Sequence, residues 1–249
     1  MVVILLPAYN EASGIGQLLS RIAATLDHND CDYHIVVVND GSTDQTKNIV
    51  SQYAKQGSIT LLSHPTNQGL GKAMKTGISY ICSNFNGDDI LVTMDADNTH
   101  DPQMIKLMVR AIKGGAEVVI GSRFLGESYE TGVPLFRRLL TALARILFLV
   151  IFPGLGVKDY TSGYRAYRIS LLRKAWESHH PLIKSKGFVV MPELLLKLSQ
   201  FKSTMVEVPL VLRYDRKKSK SKIRIIPTLI EYGKVLICLK LERIFALTR

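Results

Sequence analysis

The sequence predicts an α/β fold in which helices cover a mostly parallel sheet. Over the first 125 residues, short runs rich in Val, Ile and Leu alternate with longer amphipathic stretches, which is typical of repeated strand–helix units. Acidic and polar clusters follow three of these runs. The chain has 249 residues, 47% of them hydrophobic, with no internal repeat or low-complexity linker. A single domain is therefore expected over residues 1–249.

Each predicted strand is an apolar run that ends at a polar loop. The strands are expected at residues 2–6, 33–39, 59–63, 89–94 and 117–122. The amphipathic stretches between them predict helices at about residues 13–27, 43–56, 69–84 and 101–113. Ser42 or Thr43 is the expected N-cap of the second helix. Asp101, just before Pro102, is expected to begin the fourth.

Three of the predicted strands end in acidic loops, at residues 7–11, 39–44 and 95–102. Ligands bind at the carboxyl ends of strands in open parallel sheets, so this edge is the candidate site. For the first two loops, ordinary turn and helix-start chemistry is the alternative. Asp95 and Asp97, separated by one residue, can converge on a hard cation that also binds a diphosphate. His100 is more typical of a turn residue than of a ligand.

The formal charge of +11 is unevenly distributed along the chain. Residues 1–132 contain 9 Lys and Arg against 14 Asp and Glu, whereas residues 133–249 contain 23 against 7. An excess of this size predicts an anionic partner, which is a nucleic acid, a phosphorylated ligand or a membrane surface. A nucleic acid is not expected, because the sequence lacks a zinc pattern, an RNA-recognition signature and aromatic residues within its basic run. The three widely spaced cysteines indicate reduced thiols in a cytosolic setting.

Two C-terminal segments predict amphipathic helices at a membrane interface. In residues 135–152, Arg137, Arg138, Thr141 and Arg145 fall on one arc of a helix that is otherwise apolar. The alternative is a core helix whose arginines reach out to solvent. The second segment, residues 227–247, is expected to dock on lipid, on a membrane-anchoring subunit or on another copy of the chain. The longest apolar run is too short to span a bilayer.

A set of motifs in fixed order carries a family resemblance. They are Pro-Ala-Tyr-Asn-Glu at 7–11, Asn-Asp-Gly-Ser-Thr-Asp at 39–44, Asn-Gln-Gly-Leu-Gly-Lys-Ala at 67–73, Met-Asp-Ala-Asp at 94–97, Gly-Ser-Arg-Phe at 121–124, Asp-Tyr-Thr-Ser-Gly-Tyr-Arg at 159–165 and the basic run at 215–222. The ordered set resembles the inverting family-2 glycosyltransferases, and within them the polyprenyl-phosphate sugar synthases. The resemblance implies a GT-A fold, which is a Rossmann-like nucleotide-sugar domain.

The resemblance also implies roles for individual residues. Residues 1–132 would form the nucleotide-sugar and metal half of the domain, and residues 133–249 the acceptor and membrane half. The positions that would enclose the nucleotide sugar are Pro7, Tyr9, Glu11, Asp40, Asp95 and Ala96. Asp95 and Asp97 would bind Mg²⁺ or Mn²⁺ against the donor diphosphate.

The expected acceptor site lies in the second half. By resemblance, Arg123, Arg137 and Thr141 would hold the acceptor phosphate, while Arg216, Ser221 and Lys222 would clamp the phosphates of donor and acceptor. Asp97, Arg123 and Arg216 are the expected catalytic residues. The chain departs from the family pattern in two places, with Thr99 where the dolichol branch often has Gln and Ser219 where Gly is usual.

The implied activity is metal-dependent, inverting transfer of a hexose to a polyprenyl phosphate such as dolichyl or undecaprenyl phosphate. Mannose from GDP-mannose is the favoured donor, and UDP-glucose is the alternative. The enzyme would be peripheral, on the cytoplasmic face of a membrane, alone, as a homo-oligomer or with an anchoring subunit. Transfer to a sugar hydroxyl is a further alternative. That reaction requires a carboxylate base, for which Glu193 is the candidate; Glu193 could equally be a first-turn helix residue.

Overall fold

A computed structural model describes residues 1–27, 32–55, 57–219, 231–238 and 240. The strands are β1 (Val2–Ala8), β2 (Tyr33–Asn39), β3 (Ile59–Ser63), β4 (Ile90–Thr93), β5 (Val118–Ser122), β6 (Tyr129–Thr131), β7 (Arg165–Arg168), β8 (Met205–Pro209) and β9 (Val211–Arg213). The helices are α1 (Ile15–Asp27), α2 (Thr46–Ala54), α3 (Leu70–Asn84), α4 (Met104–Lys113), α5 (Leu135–Ile151), α6 (Ile169–Ser178) and α7 (Val190–Ser199), followed by a 3₁₀ turn at Tyr214–Arg216.

Seven strands form the central sheet, in the order β3-β2-β1-β4-β7-β5-β8. β7 runs antiparallel to both of its neighbours, and the other pairings in this sheet are parallel. The predicted α/β fold with a mostly parallel sheet is therefore confirmed. β6 and β9 pair as a separate parallel ribbon. This ribbon brings residues 212–217 back to the edge of the sheet where β4 ends, since Leu212 bridges to His100 and the Arg213 N–H donates to the Thr99 carbonyl.

The core lies on both faces of the sheet because successive strand residues point to opposite sides. In β1, Leu5 belongs to the core cluster that also contains residues of α3, α6 and α7, whereas Ile4 belongs to the cluster that contains residues of α1 and α4. Both leucine and isoleucine are fully buried there. A strand that is covered on both faces has a continuous apolar sequence, and for this reason the sequence predicts β1 clearly.

Two predicted helix starts are wrong. α2 begins at Thr46 rather than at residue 43, because the Asp44 carboxylate accepts the Thr46 backbone N–H at 2.9 Å. Ser42 and Thr43 instead hydrogen-bond to Asn10, which ties the loop after β2 to the loop after β1. α4 begins at Met104 rather than near residue 101.

α5 confirms the helix predicted at residues 135–152, and it contributes little to the core. Phe148 is its one buried residue. The opposite side exposes the large apolar side chains Leu135, Phe136, Leu139, Leu143, Ile146, Leu147, Leu149 and Val150. We call this set the α5 apolar face. The core-helix alternative is therefore wrong. Across the described ranges, no helix is long and apolar enough to cross a membrane.

The predicted segment 227–247 is only partly described. Residues 231–238 are helical. Leu236 is buried against the core, while Ile237 is exposed. The remainder of the segment lies outside the described residues, so its docking partner stays a prediction.

Candidate active site

Asp95 and Asp97 lie just beyond the carboxyl end of β4, as the sequence predicts. The Asp95 backbone N–H donates to His100 Nδ1 at 3.1 Å, and the His100 ring stacks on Tyr164 with 4.7 Å between ring centroids. His100 therefore uses this nitrogen to support the loop backbone. Gly163 lies beside the Asp95 carboxylate, because a Cβ atom there would be 3.3 Å from Oδ1.

The Asp97 carboxylate is held from two sides. Its Oδ1 accepts the Thr99 backbone N–H at 3.1 Å and the Thr99 hydroxyl at 2.7 Å. Its Oδ2 accepts a hydrogen bond from Lys217 Nζ. Burial opposes ionisation of Asp97, but Lys217 and the Thr99 hydrogen bond outweigh it and hold the pKa of Asp97 below its ordinary value. The pKa of Asp95 is raised by burial.

The backbone explains why Lys217 reaches this point. The Arg213 N–H, at the end of β9, donates to the Thr99 carbonyl at 2.8 Å. The 3₁₀ turn at Tyr214–Arg216 then directs Lys217 toward Asp97. Burial lowers the pKa of Lys217, but the Asp97 carboxylate outweighs that effect and leaves it raised. Residues 97–99 and 213–217 thus form one structural unit.

The two carboxylates fit a hard divalent cation in the chemistry of their donors. Oxygen ligands suit Mg²⁺ and Mn²⁺, and such sites are completed by substrate phosphates and water rather than by an all-protein cage. No group of three His, Cys, Asp or Glu side chains that could hold a metal occurs within the described part of the chain. Asp95 and Asp97 would hold the ion. Thr99, at the position where Gln was anticipated, fixes Asp97 instead.

Asp40, predicted to contact the nucleotide, uses its carboxylate to organise a neighbouring loop. It accepts the backbone N–H groups of Gln68 and Gly69 at 3.0 and 2.8 Å and pairs with His64 Nδ1 at 2.6 Å. Gly41, with φ of +67°, allows the backbone after β2 to approach this loop closely, since a Cβ atom at Gly41 would lie 2.3 Å from the Thr66 backbone. Asp40 is thus buried, with its carboxylate bonded to the loop at residues 64–69.

The other predicted nucleotide residues lie at the carboxyl ends of β1 and β4. Pro7 is within the strand, and Tyr9 directly follows it. The buried Glu11 donates its backbone N–H to the Thr46 hydroxyl at 2.8 Å. Ala96 is buried between the two candidate metal ligands. The loops after β1, β2 and β4 thus come together at one edge of the sheet.

Arg123, directly after β5, forms a bidentate ion pair with Asp159. Nε and Nη2 of Arg123 lie 2.8 and 2.7 Å from the two Asp159 oxygens. Arg123 also donates to the hydroxyls of Thr161 at 2.6 Å and of Thr141 on α5 at 3.5 Å. Burial opposes the charge on Asp159, but Arg123 outweighs it and lowers the pKa of this carboxyl. Arg123 and Thr141, both predicted acceptor residues, are therefore adjacent.

The protein-facing side of α5 meets the loop that carries Lys217. The Arg137 guanidinium lies 5.3 Å from the Tyr214 ring centroid, and Lys217 Nζ lies 5.8 Å from the same centroid. Arg216 Nη1 is buried and has no hydrogen-bond partner. Ser221 and Lys222 lie outside the described residues. A path of basic and aromatic side chains thus connects Asp97 to α5.

Glu193 is buried in α7, and both of its carboxylate oxygens accept hydrogen bonds. Its carboxylate accepts the N–H groups of Lys184 and Ser185, the Ser185 hydroxyl and the ammonium of Lys197, each within 2.9 Å. Lys197 also donates to the Leu182 carbonyl at 2.7 Å. These bonds occupy both carboxylate oxygens in holding the 182–185 loop, an arrangement that argues against the expected alternative role as a base.

Sequence reasoning missed two functional candidates. Asp159 is part of the motif at residues 159–165, which predicts no role for it, and the structure makes it the partner of Arg123. Lys217 belongs to a basic run that the resemblance predicts to contact phosphates, with a solvated loop as the alternative, but its pairing with Asp97 depends on a contact between residues 120 positions apart. The available signal for Asp159 is its place as the first residue of that motif. No local signal identified Lys217.

A family profile described as Glycosyl transferase family 2 matches residues 3–176, which include the loops after β1, β2, β4 and β5. The chain belongs to glycosyl transferase family 2. It is accordingly a glycosyltransferase, and the resemblance inferred from the ordered motifs is confirmed.

Characterised relatives in this family are named as lipid-phosphate mannosyltransferases. A polyprenol monophosphomannose synthase of Mycolicibacterium smegmatis is 30% identical over 210 residues, covering 83% of this chain and 75% of that protein. An undecaprenyl-phosphate mannosyltransferase of Micrococcus luteus is 30% identical over 223 residues, covering 89% and 87%. A dolichol-phosphate mannosyltransferase of Pyrococcus furiosus is 30% identical over 207 residues, covering 83% and 54%.

Solved structures of glucosyl-3-phosphoglycerate synthase from Mycobacterium tuberculosis share the fold. One of them, in complex with Mn²⁺, UDP and glucosyl-3-phosphoglycerate, superimposes with a TM-score of 0.67. The sequences are 24% identical, and the match covers 98% of this chain and 79% of that one. At this identity the likeness establishes the fold alone, and it confirms the predicted GT-A architecture.

Proposed function

We propose that this glycosyltransferase transfers a hexose, with inversion, from a nucleotide sugar to a polyprenyl phosphate. The observation that carries the proposal is the path from Asp97 through Lys217 and Tyr214 to Arg137 on α5. It joins a carboxylate pair suited to a metal–diphosphate with a basic surface suited to a second phosphate. The apolar face of α5 lies on the other side of the same helix.

The acceptor determines what the protein must supply. A phosphate monoester oxygen is already ionised near neutral pH, so it needs orientation and charge screening rather than a general base. Arg123, Arg137 and Thr141 provide cations and a hydroxyl for this purpose. The phosphate oxygen attacks the anomeric carbon as the bond to the nucleoside diphosphate breaks, and the electron pair leaves with the diphosphate.

The donor side uses the acidic edge of the sheet. Asp95 and Asp97 would hold a divalent cation, which would supply Lewis-acid stabilisation of the leaving diphosphate. Lys217 and Arg216 add positive charge close to the same leaving group. Mannose from GDP-mannose is the donor we propose, because three relatives at 30% identity are named as mannosyltransferases. UDP-glucose is the alternative donor.

The α5 apolar face supports a peripheral location at a membrane surface. Its eight large apolar side chains are exposed together along about four turns of the helix. Patches of this kind mark interaction sites, and a lipid surface suits an enzyme whose acceptor carries a polyprenyl chain. We place the enzyme on the cytoplasmic face. The segment 227–247 would add a second contact with lipid, with an anchoring subunit or with another copy.

The proposal is tested by assaying transfer from radiolabelled GDP-mannose and UDP-glucose to a polyprenyl phosphate in detergent, with Mg²⁺ or Mn²⁺. We expect label in the organic phase with one of the two donors, dependent on the metal, and its loss in Asp97→Ala. Failure of both donors to label the lipid would contradict the proposal. Full activity of Asp97→Ala would contradict the assigned metal site.

A further inference from the structure

Arg145 on α5 carries a polar atom that the fold leaves unsatisfied. Its Nε is buried and has no hydrogen-bond partner. Most buried polar groups in native proteins are hydrogen-bonded, so an unpartnered donor of this kind calls for an explanation. One explanation is that this atom donates a hydrogen bond to a ligand, and the residues around Arg145 indicate which kind of ligand.

The position of Arg145 is fixed by packing. Its guanidinium carbon lies 4.6 Å from the centroid of the Phe124 ring. Phe124 directly follows Arg123, and Thr141, one helical turn before Arg145, accepts a hydrogen bond from Arg123. Thr141 and Arg145 therefore share the side of α5 that faces Arg123, opposite the α5 apolar face.

Carboxylates in this region are already paired with other arginines. Asp159 forms the bidentate pair with Arg123. Glu130 pairs with Arg138 at 3.6 Å. Within the described ranges, Arg145 forms no ion pair. Holding a half-buried cation without a counter-charge is costly, whereas an anionic ligand would remove that cost.

We infer that Arg145 binds a phosphoryl oxygen of the lipid acceptor, alongside Arg123 and Thr141. This inference rests on the proposed function. Phosphoryl oxygens could also come from the donor diphosphate, which would lie near Asp97. Arg137 marks the end of α5 next to Lys217 and Asp97, and Arg145 lies about 12 Å farther along the helix. That distance favours the acceptor phosphate over the donor diphosphate.

The test measures binding rather than turnover. Calorimetry compares farnesyl phosphate, a short polyprenyl phosphate, with Mn²⁺–GDP on the wild-type protein and on Arg145→Met, which retains packing over Phe124. Arg145→Lys tests rescue by a cation, and Arg138→Met is the matched control, since Arg138 lies on the same arc of α5 but pairs with Glu130. Arg145→Gln replaces the Met variant if the latter has a lower melting temperature.

We expect Arg145→Met to weaken farnesyl phosphate binding at least tenfold and to leave Mn²⁺–GDP binding within twofold. Arg145→Lys should recover part of the loss, and Arg138→Met should match the wild type. Unchanged farnesyl phosphate binding, or an equal loss of Mn²⁺–GDP binding, would overturn the assignment. Arg145-dependent binding without any sugar transfer would support the assignment and contradict the proposed function. If the wild type does not bind farnesyl phosphate, both the assignment of Arg145 and the proposed function are contradicted.

Discussion

Lys217 donates a hydrogen bond to the carboxylate of Asp97, although the two residues are 120 positions apart in the chain. The ammonium lies against a carboxylate that we assign to a divalent cation. It therefore neutralises Asp97 and competes with that cation for the same oxygen. Its neighbour Tyr214 also contacts Arg137, so one loop touches both the metal loop and α5.

Lys217→Met should bind Mn²⁺ more tightly than the wild type when no nucleotide is present. The substitution removes a competing positive charge from Asp97, and we expect at least about tenfold higher affinity, equivalent to about 1.4 kcal/mol. Titration of Mn²⁺ followed by electron paramagnetic resonance measures this directly. Lys218→Met is the control, since Lys218 is exposed. Equal or weaker Mn²⁺ binding by Lys217→Met would show that the ammonium does not compete.

Asp159→Asn should destabilise the protein at neutral pH. It leaves the Arg123 guanidinium without its counter-charge, a change that costs about 3–5 kcal/mol for buried pairs. Because Arg123 lowers the pKa of folded Asp159, the pair contributes fully above the unfolded pKa of about 3.9 and is lost as pH falls through the folded pKa.

Urea unfolding at several pH values checks this linkage. The difference in unfolding free energy between the wild type and Asp159→Asn should be largest near pH 7 and shrink below about pH 4. Asp88→Asn, at an exposed carboxylate, should stay close to the wild type throughout. A difference that is the same at every pH would mean that the ion pair is not its source.

Glu193→Gln should lower stability because it strands the buried ammonium of Lys197. We expect a loss of about 3–5 kcal/mol. The double variant Glu193→Gln/Lys197→Met removes both charges and should recover much of the stability together with sugar transfer. Thermal unfolding and the transfer assay are measured on the same samples. A double variant that is stable but inactive would instead support a role for Glu193 as a base.

Leu139→Glu and Leu143→Glu should each weaken binding to lipid vesicles without lowering the melting temperature. Both side chains are more than 60% exposed on the α5 apolar face. Burying a leucine fully is worth about 1.5–3 kcal/mol, so we expect at least about tenfold weaker binding. Vesicle flotation measures the effect, with Leu107→Glu on α4 as control. Vesicle binding that is equal in all three variants would exclude α5 as the docking surface.

Much of the fold could be predicted because its central strands are buried on both faces. The runs at β1, β2 and β5 are continuous and apolar, and their ends mark the loops of the site. β7 escaped prediction because its sequence, Arg-Ala-Tyr-Arg, has charged ends. Its Arg165 is nonetheless buried, with Nη1 and Nη2 donating to the carbonyls of Met191 and Tyr160 at 2.6 Å.

The site was predictable where its residues follow strands and less so where distant contacts define it. Asp95 and Asp97 follow a strand, so their placement could be derived from local sequence. Glu193 resembled a first-turn residue, and only the tertiary structure reveals its buried bonds to Ser185 and Lys197. α5 was recognised from its periodicity, but the side of the helix that packs on the protein depends on its neighbours.

The central claim is that the acceptor nucleophile is a phosphate oxygen held between the metal site and α5. It is tested most directly by single-turnover transfer to a polyprenyl phosphate and to the polyprenol of the same chain length, each with GDP-mannose or UDP-glucose and Mn²⁺. The account predicts a labelled glycolipid from the phosphate and none from the alcohol. Equal transfer to both lipids, or transfer to the alcohol alone, would contradict it.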